Sequence, residues 1–173
     1  MHENQGRQIN RYRVAVIAAS DKGARGERQD ESGPAIAAFM TARGYAVTHT
    51  VLLPDDEVLL QDEMRRLADA GLTDLILTTG GTGFSPRDRT PEATLAIADR
   101  TAPGIAEAMR MHSFQFTKRA MLSRAVSVLR KQTLIINLPG SPQAVREHLD
   151  FIADELPHAL AILRGDAEEC GRH

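Results

Sequence analysis

The apolar positions along the chain change period several times. Tyr12–Ala19 runs almost without a polar residue, the pattern of a strand buried on both faces. Ile36, Phe39 and Met40 then recur at helical spacing. They predict a helix over Gly33–Arg43, with Ser32 as its cap and Gly44 as its stop. Tyr45–Leu52 reads as a second strand. From Asp55, the positions Leu60, Met64, Leu67 and Ala68 return to helical spacing as far as Gly71. Leu75–Thr79 is a short apolar strand that runs directly into Gly80. Pro91–Asp99 reads as a helix, Pro103–Gly104 interrupts, and a further helix extends to about Phe116. Ala125–Leu129 and Thr133–Leu138 flank Arg130–Gln132, which predicts a hairpin whose turn lacks the favoured Asn-Gly pair. Pro142 opens a last long helix with Val145, Leu149, Ile152 and Leu156 inward, and Pro157 should kink it or start a new segment. Strands alternating with helices predict an α/β fold, a largely parallel sheet covered by helices. No repeat or linker divides the chain, so one domain is expected over residues 12–165, with flexible tails at 1–11 and 166–173.

Composition narrows the functional classes. The 173 residues carry a net charge of −2, with 42% hydrophobic and 25% charged residues, ordinary for a globular domain and unlike a bulk polycation. Aromatic residues make up 4%, without Trp, which argues against a base-stacking platform for single strands. One cysteine, Cys170, excludes an internal disulfide framework and a cysteine-based zinc site. The polar start lacks a secretory signal, and no apolar run approaches the ~20 residues of a membrane span. A cytoplasmic protein without a membrane partner is expected.

Charge is unevenly spread. Between Glu107 and Glu147 there is no acid, whereas Arg110, Lys118, Arg119, Arg124, Arg130, Lys131 and Arg146 give that interval +7 and leave −9 for the rest. Such asymmetry suggests an anionic partner, or else a solvated face with a subunit contact. No nucleic-acid motif accompanies it, so a nucleic-acid partner is not expected.

The run from Thr78 to Thr94, TTGGTGFSPRDRTPEAT, carries the most chemistry. A buried strand ends in Gly80-Gly81-Thr82-Gly83, where backbone can approach a ligand that any side chain would repel. Successive free N–H groups in such a turn form an anion-binding concavity. Thr90 as N-cap with Pro91 at N1 would aim a helix N-terminus at the same region, and Arg87 adds a cation. A tight turn without a ligand remains open. The segment lacks the Gly-Lys-Ser/Thr of a Walker loop, and Pro86 stands where a dinucleotide fingerprint needs its third glycine. Two more strand ends, Ser20-Asp21 with the polar loop Lys22–Gly26, and Pro139-Gly140-Ser141, should converge with it if the strands are parallel neighbours. Each could equally serve as plain capping. Asp55 and Asp88, each just beyond a strand, could hold Mg²⁺, which favours a few carboxylates plus substrate phosphates. Asp55 could instead sit at a helix start, and Asp88 could pair with Arg87 or Arg89. Ser113 and Ser123 have no histidine near them in sequence, and His112, His148 and His158 show no metal spacing.

The glycine-to-TPEA segment, with LSRAV and INLPGSP, resembles the molybdopterin adenylyltransferase family of molybdenum-cofactor biosynthesis, which includes the G domains of plant Cnx proteins and gephyrin. The resemblance spans about Arg13 to Leu163. It implies a three-layer α/β domain around a mostly parallel mixed sheet, assembled as a trimer or hexamer. It also implies adenylation of the terminal phosphate of molybdopterin by Mg-ATP, with release of pyrophosphate and delivery to a downstream molybdenum-insertion protein. Carried over, Asp55 and Asp88 are the functional, Mg²⁺-holding aspartates, and Thr82 belongs to the glycine loop. Ser113 and Ser123 fall at the pterin-phosphate side, while Ser20, Asp21, Pro139, Gly140 and Ser141 are the flanking loops. The basic interval, through Lys118 or Arg124, would receive the pterin phosphate. A binding-only paralogue or a trimeric scaffold module are the alternatives. The aspartate pair favours catalysis.

Overall fold

The computed structural model of the chain describes residues 12–166. Apart from Asp166, the tails expected at 1–11 and 166–173, and with them Cys170, lie outside the described residues. Six strands, β1 (Arg13–Ala19), β2 (Ala46–Leu53), β3 (Leu75–Thr79), β4 (Arg100–Thr101), β5 (Ser127–Arg130) and β6 (Thr133–Leu138), form one sheet in the order β2-β1-β3-β6-β5-β4. The β2, β1, β3 and β6 strands are parallel, whereas β5 pairs antiparallel with β6 and β4 antiparallel with β5. The helices are α1 (Asp21–Ala24), α2 (Ser32–Ala42), α3 (Glu57–Asp69), α4 (Thr90–Ala96), α5 (Pro103–Ser113), α6 (Pro142–Ile152) and α7 (Leu156–Arg164), with a 3-10 turn at Lys118–Leu122.

Alternation along the central strands divides the interior into two layers. Val14, Val16, Leu75, Leu77, Leu134, Ile136 and Leu138 face α2, α5, α6 and α7. Ala15, Ile17, Ala19, Ile76 and Ile135 face α3 and α4 through Leu60, Met64, Leu67 and Ala93. A strand buried on both faces needs no polar side, which is why β1, β3 and β6 read as continuous apolar runs. The result is the three-layer α/β domain around a mostly parallel mixed sheet. Each large side chain buried here adds roughly 1.5–3 kcal/mol.

Several local expectations change. Ser32 is the first residue of α2 rather than its cap. The Asp30 carboxylate accepts from the Ser32 and Gly33 amides at 3.1 Å, and the Ser32 hydroxyl donates instead to the Gly140 carbonyl at 2.8 Å. Thr90 likewise lies inside α4 and caps nothing. The loop at Lys22–Gly26 is largely α1, closed by the Gly23 amide donating to Ser20 Oγ at 3.0 Å. The hairpin forms with Lys131 at φ 50° in its turn. Its backbone strain is offset by tertiary contacts, since the Lys131 amide donates to Asp99 Oδ2 at 2.7 Å. The last long helix is two helices, with Pro157 in the first turn of α7.

Candidate functional site

Four parallel strands end side by side, so the segments after β1, β2, β3 and β6 meet at one edge of the sheet. The chain turns outward in opposite directions from β1 and β3, which makes the crevice between them the topological switch point where open α/β sheets bind ligands. Gly80 sits there with φ +89°, and a Cβ on it would drive into the Ala19 carbonyl. Gly81, with φ +65°, leaves bare the space between the Thr90 hydroxyl and Asp55 Oδ1, the latter 3.1 Å from where its Cβ would be. Glycine is required at both positions by conformation and by space.

A cleft of about 360 Å³ opens at this edge, lined by Ser20, Asp55, Gly80, Gly81, Asp88, Gly140 and Ser141 among others. The Thr79 hydroxyl donates to the Pro139 carbonyl at 2.6 Å and so ties the end of β3 to the turn after β6. Ser141 caps α6, accepting weakly from the Ala144 amide at 3.5 Å, and its helix begins at the rim. The amides of Gly81, Thr82 and Gly83 have no acceptor among the described residues. Unpaired donors beside a helix N-terminus form an environment for anionic oxygen.

Acidic groups face these donors. The Asp55 and Asp21 segments lock together: the Asp21 amide donates to Asp55 Oδ2 at 2.9 Å, and the Asp55 amide donates to Asp21 Oδ1 at 3.0 Å. Arg87 then forks onto both Asp21 oxygens at 2.9 and 3.0 Å. This bond holds the Asp21 carboxyl below its ordinary range. Asp55 moves the other way. Burial pushes its carboxyl up, and the charges of Asp21 and Asp88 add to the shift, against the lowering effect of the Asp21 amide. Asp88 Oδ2 accepts from the Ser85 amide at 2.9 Å, which folds the carboxylate against its own loop.

The remaining expected site residues fall elsewhere. Thr82 is buried within the glycine loop, and its carbonyl accepts from the Arg124 amide at 2.9 Å. Ser113 and Ser123 do not line the cleft. Ser113 ends α5, with its Oγ 2.5 Å from His148 Nε2, a pairing hidden by 35 positions of sequence. His148 Nδ1 is buried without a partner among the described residues, so no carboxylate completes a triad. Four of the seven cations in the +7 interval are engaged within the chain. Arg110 donates to the Ala125 carbonyl, Arg124 to the glycine loop and Glu92, and Arg130 and Lys131 to Asp69. None of the seven cations lines the cleft, although Arg124 borders a more open depression of about 380 Å³ beyond Asp88, with Phe84 and Pro86.

Sequence reasoning missed the outer wall, Arg28–Ser32, and Thr79. The signal for the wall was available: Asp30 two residues before Ser32-Gly33-Pro34 is a helix-capping pattern that draws this segment to the edge.

Fold and cleft together define a doubly wound α/β domain with a cleft lined by glycine-loop backbone and carboxylates at its switch point. Residues 15–158 match the family described as a probable molybdopterin binding domain, and the chain belongs to that family. It is 42% identical over 174 residues to the molybdopterin adenylyltransferase of Escherichia coli K12, covering 91% of this chain and 88% of that protein. Among solved structures, a molybdopterin biosynthesis enzyme, MoaB, from Thermus thermophilus superposes with a TM-score of 0.84 at 47% identity, covering 89% of this chain and 97% of that one. The Mog protein of Mycobacterium ulcerans gives 0.82 at 39% identity, with 90% and 97% covered.

Proposed function

We propose that this protein is a molybdopterin adenylyltransferase acting in molybdenum-cofactor biosynthesis, with ATP as the nucleotide and the cleft at the carboxyl edge as its active site. The observation that carries the reading is the meeting of unpaired glycine-loop amides with Asp55 and Asp88 at the switch point. In the reaction an oxygen of the molybdopterin phosphate attacks the α-phosphorus of ATP. The new P–O bond replaces the bond to the β-phosphate, and pyrophosphate leaves. No protein nucleophile is needed, so catalysis consists of positioning two polyanions and stabilising the charge that develops.

The amides of Gly81, Thr82 and Gly83 donate to the nucleotide phosphates, and Ser20, Gly140 and Ser141 close the cleft around them. Arg87 supplies a cation at the mouth, where its fork can pass from Asp21 to phosphate. Asp55 and Asp88 would hold Mg²⁺. The residues fit a hard cation: Asp55 is half-buried among like charges, and the buried Thr90 hydroxyl lacks a partner among the described residues. Among the described residues no cluster of three acidic, histidine or cysteine side chains forms a preformed cage, consistent with an ion held largely by substrate phosphates and water. Bound there, Mg²⁺ supplies neutralisation of the polyphosphate and of the departing pyrophosphate. Ser113 and Ser123 are assigned to the pterin-phosphate side on the family resemblance.

A closed trimer is the proposed assembly, with a hexamer of two such rings as the larger form. Met111, Phe114, Phe116, Met121 and Phe151 are exposed around the end of α5, where His112 stacks on Phe151 at 4.2 Å, and such a patch supports self-association. A single cysteine supports a reducing, cytoplasmic setting, from which the adenylated product passes to a metal-inserting protein.

The decisive experiment incubates the purified protein with molybdopterin, Mg²⁺ and ATP and follows adenylated pterin and pyrophosphate. Turnover is expected, and Asp88→Asn should lower it by about 100-fold or more while the fold persists. Pterin bound without any adenylated product would overturn the enzymatic reading and leave a binding protein.

A further inference from the structure

The segment Gly80–Arg89 carries the proposed phosphate donors and Asp88, yet has no regular secondary structure and little apolar anchorage. Phe84, its largest side chain, is 68% exposed. Its internal bonds are few: the Asp88 amide to the Ser85 carbonyl, the Ser85 amide to Asp88 Oδ2 and the Arg87 amide to Ser85 Oγ, with the Thr90 amide just beyond it donating to the Gly81 carbonyl. Its Arg87 and Arg89 side chains reach out to Asp21 and Glu57, and a single outside residue binds its backbone at three points. The Arg124 amide donates to the Thr82 carbonyl at 2.9 Å, Nε to the Gly83 carbonyl at 2.7 Å, and Nη2 to the Asp88 carbonyl at 2.7 Å. Nη1 pairs with the carboxylate of Glu92 on α4. Burial is the largest effect on the Glu92 carboxyl and raises it, but the Arg124 bond and charge, the Glu92 amide and the Arg89 charge together hold it below its ordinary range.

We infer that Arg124 is the positioning residue of the site: its guanidinium spans the loop, fixing the carbonyls at both ends of Gly83–Asp88 and locking them to α4. This rests on the adenylyltransferase reading for its kinetic consequence, but not for its structural one. The geometry requires arginine. Three N–H groups of one planar fork reach two carbonyls and a carboxylate at once, whereas a lysine ammonium is a point donor on a flexible stem. Each bonded carbonyl fixes its peptide: the Arg124 amide orients the Thr82–Gly83 peptide and with it the Gly83 donor, and the fork holds the Gly83–Phe84 and Asp88–Arg89 peptides that frame it. Because Arg124 spends its donors on the loop, it acts through Asp88 and the glycine amides rather than on the pterin phosphate itself. The assignment also explains why a cation far along the chain accompanies the glycine loop: the two segments are one device.

The test uses the full chain and the variants Arg124→Ala, Arg124→Lys and Glu92→Gln. Amide hydrogen exchange should accelerate by about tenfold or more at Ser85, Asp88 and Thr90, whose amides are bonded within the loop, in Arg124→Ala, while β3 and β6 keep wild-type protection. Displacement of the donors by even 1 Å should lower kcat/KM by about 100-fold, and added guanidinium should restore part of it. Arg124→Lys should recover little, and Glu92→Gln should give a smaller loss than either. Unchanged exchange at Ser85, Asp88 and Thr90 in a folded variant overturns the inference, as does full activity of Arg124→Lys. Should Arg124→Ala fail to fold, the exchange of Glu92→Gln and Arg124→Lys decides by the same criterion. A wild-type protein that does not adenylate molybdopterin refutes the proposed function, and the exchange measurement still settles the clamp.

Discussion

Two aspartates at opposite ends of the parallel strands show how differently one residue type can be used. Asp74 precedes β3 at the amino edge and is 4% exposed. It accepts from the Arg13 amide at 2.7 Å, from the Arg13 guanidinium at 3.0 and 3.2 Å, and from Arg164 at 3.2 Å. Burial works against its charge, but the two arginines prevail and pull the carboxyl down to about 2. Asp55, beyond β2 at the carboxyl edge, meets other carboxylates and unpaired amides nearby, and its carboxyl is raised. The amino edge has its charges satisfied within the chain. The carboxyl edge leaves both donors and charges for a ligand to satisfy.

Closing the open edge should have the largest effect. Gly80→Val places a β-branched side chain at φ +89° against the Ala19 carbonyl, and nucleotide affinity should fall by about 100-fold or more. Calorimetric titration with Mg-ATP checks this, and near-wild-type binding would mean that the crevice between β1 and β3 is not the site. Breaking the satisfied edge comes next. Asp74→Asn should destabilise the fold by about 3 kcal/mol, because it strands two guanidinium groups, yet leave turnover of the folded molecule intact. Chemical denaturation alongside an activity assay separates the two effects. If stability is unmoved, the arginine pair is ordinary surface decoration.

The smallest change carries the sharpest contrast. Asp55→Asn removes a charge that burial and its neighbours oppose, so stability should hold or rise by up to about 1 kcal/mol while catalysis drops. The pH dependences should have opposite signs. Asp74 contributes stability that is present above the unfolded carboxyl value and lost as pH falls toward about 2. Asp55, raised in the fold, contributes stability that is complete below the unfolded value and lost as pH rises through its folded one. Urea titrations at several acidic pH values test this. An acid limb that Asp74→Asn fails to flatten, or one that Asp55→Asn shifts the same way, would dissolve the contrast.

Much of this was legible in the chain. The strands β1, β3 and β6 announce themselves because burial on both faces removes polar positions. Gly80 and Gly81 mark a close approach because a side chain has no room there. Less legible were contacts between distant segments. Ser32 resembles a cap, but competition from Asp30 for the same amides frees its hydroxyl for Gly140. Arg124 resembles a phosphate receptor until three backbone carbonyls and Glu92 are seen to take its donors.

By itself the sequence determined the layered α/β architecture, the glycine turn and the family to which the chain belongs, because periodicity, steric need and local motif are written in neighbouring residues. Tertiary structure alone decided which charges are free. Hydrogen bonds and ion pairs depend on partners that sequence separates and folding joins. Thus four cations of a seven-cation interval are engaged by backbone and acids, and two aspartates of like appearance become a paired structural anchor and a carboxyl raised by burial and like charge.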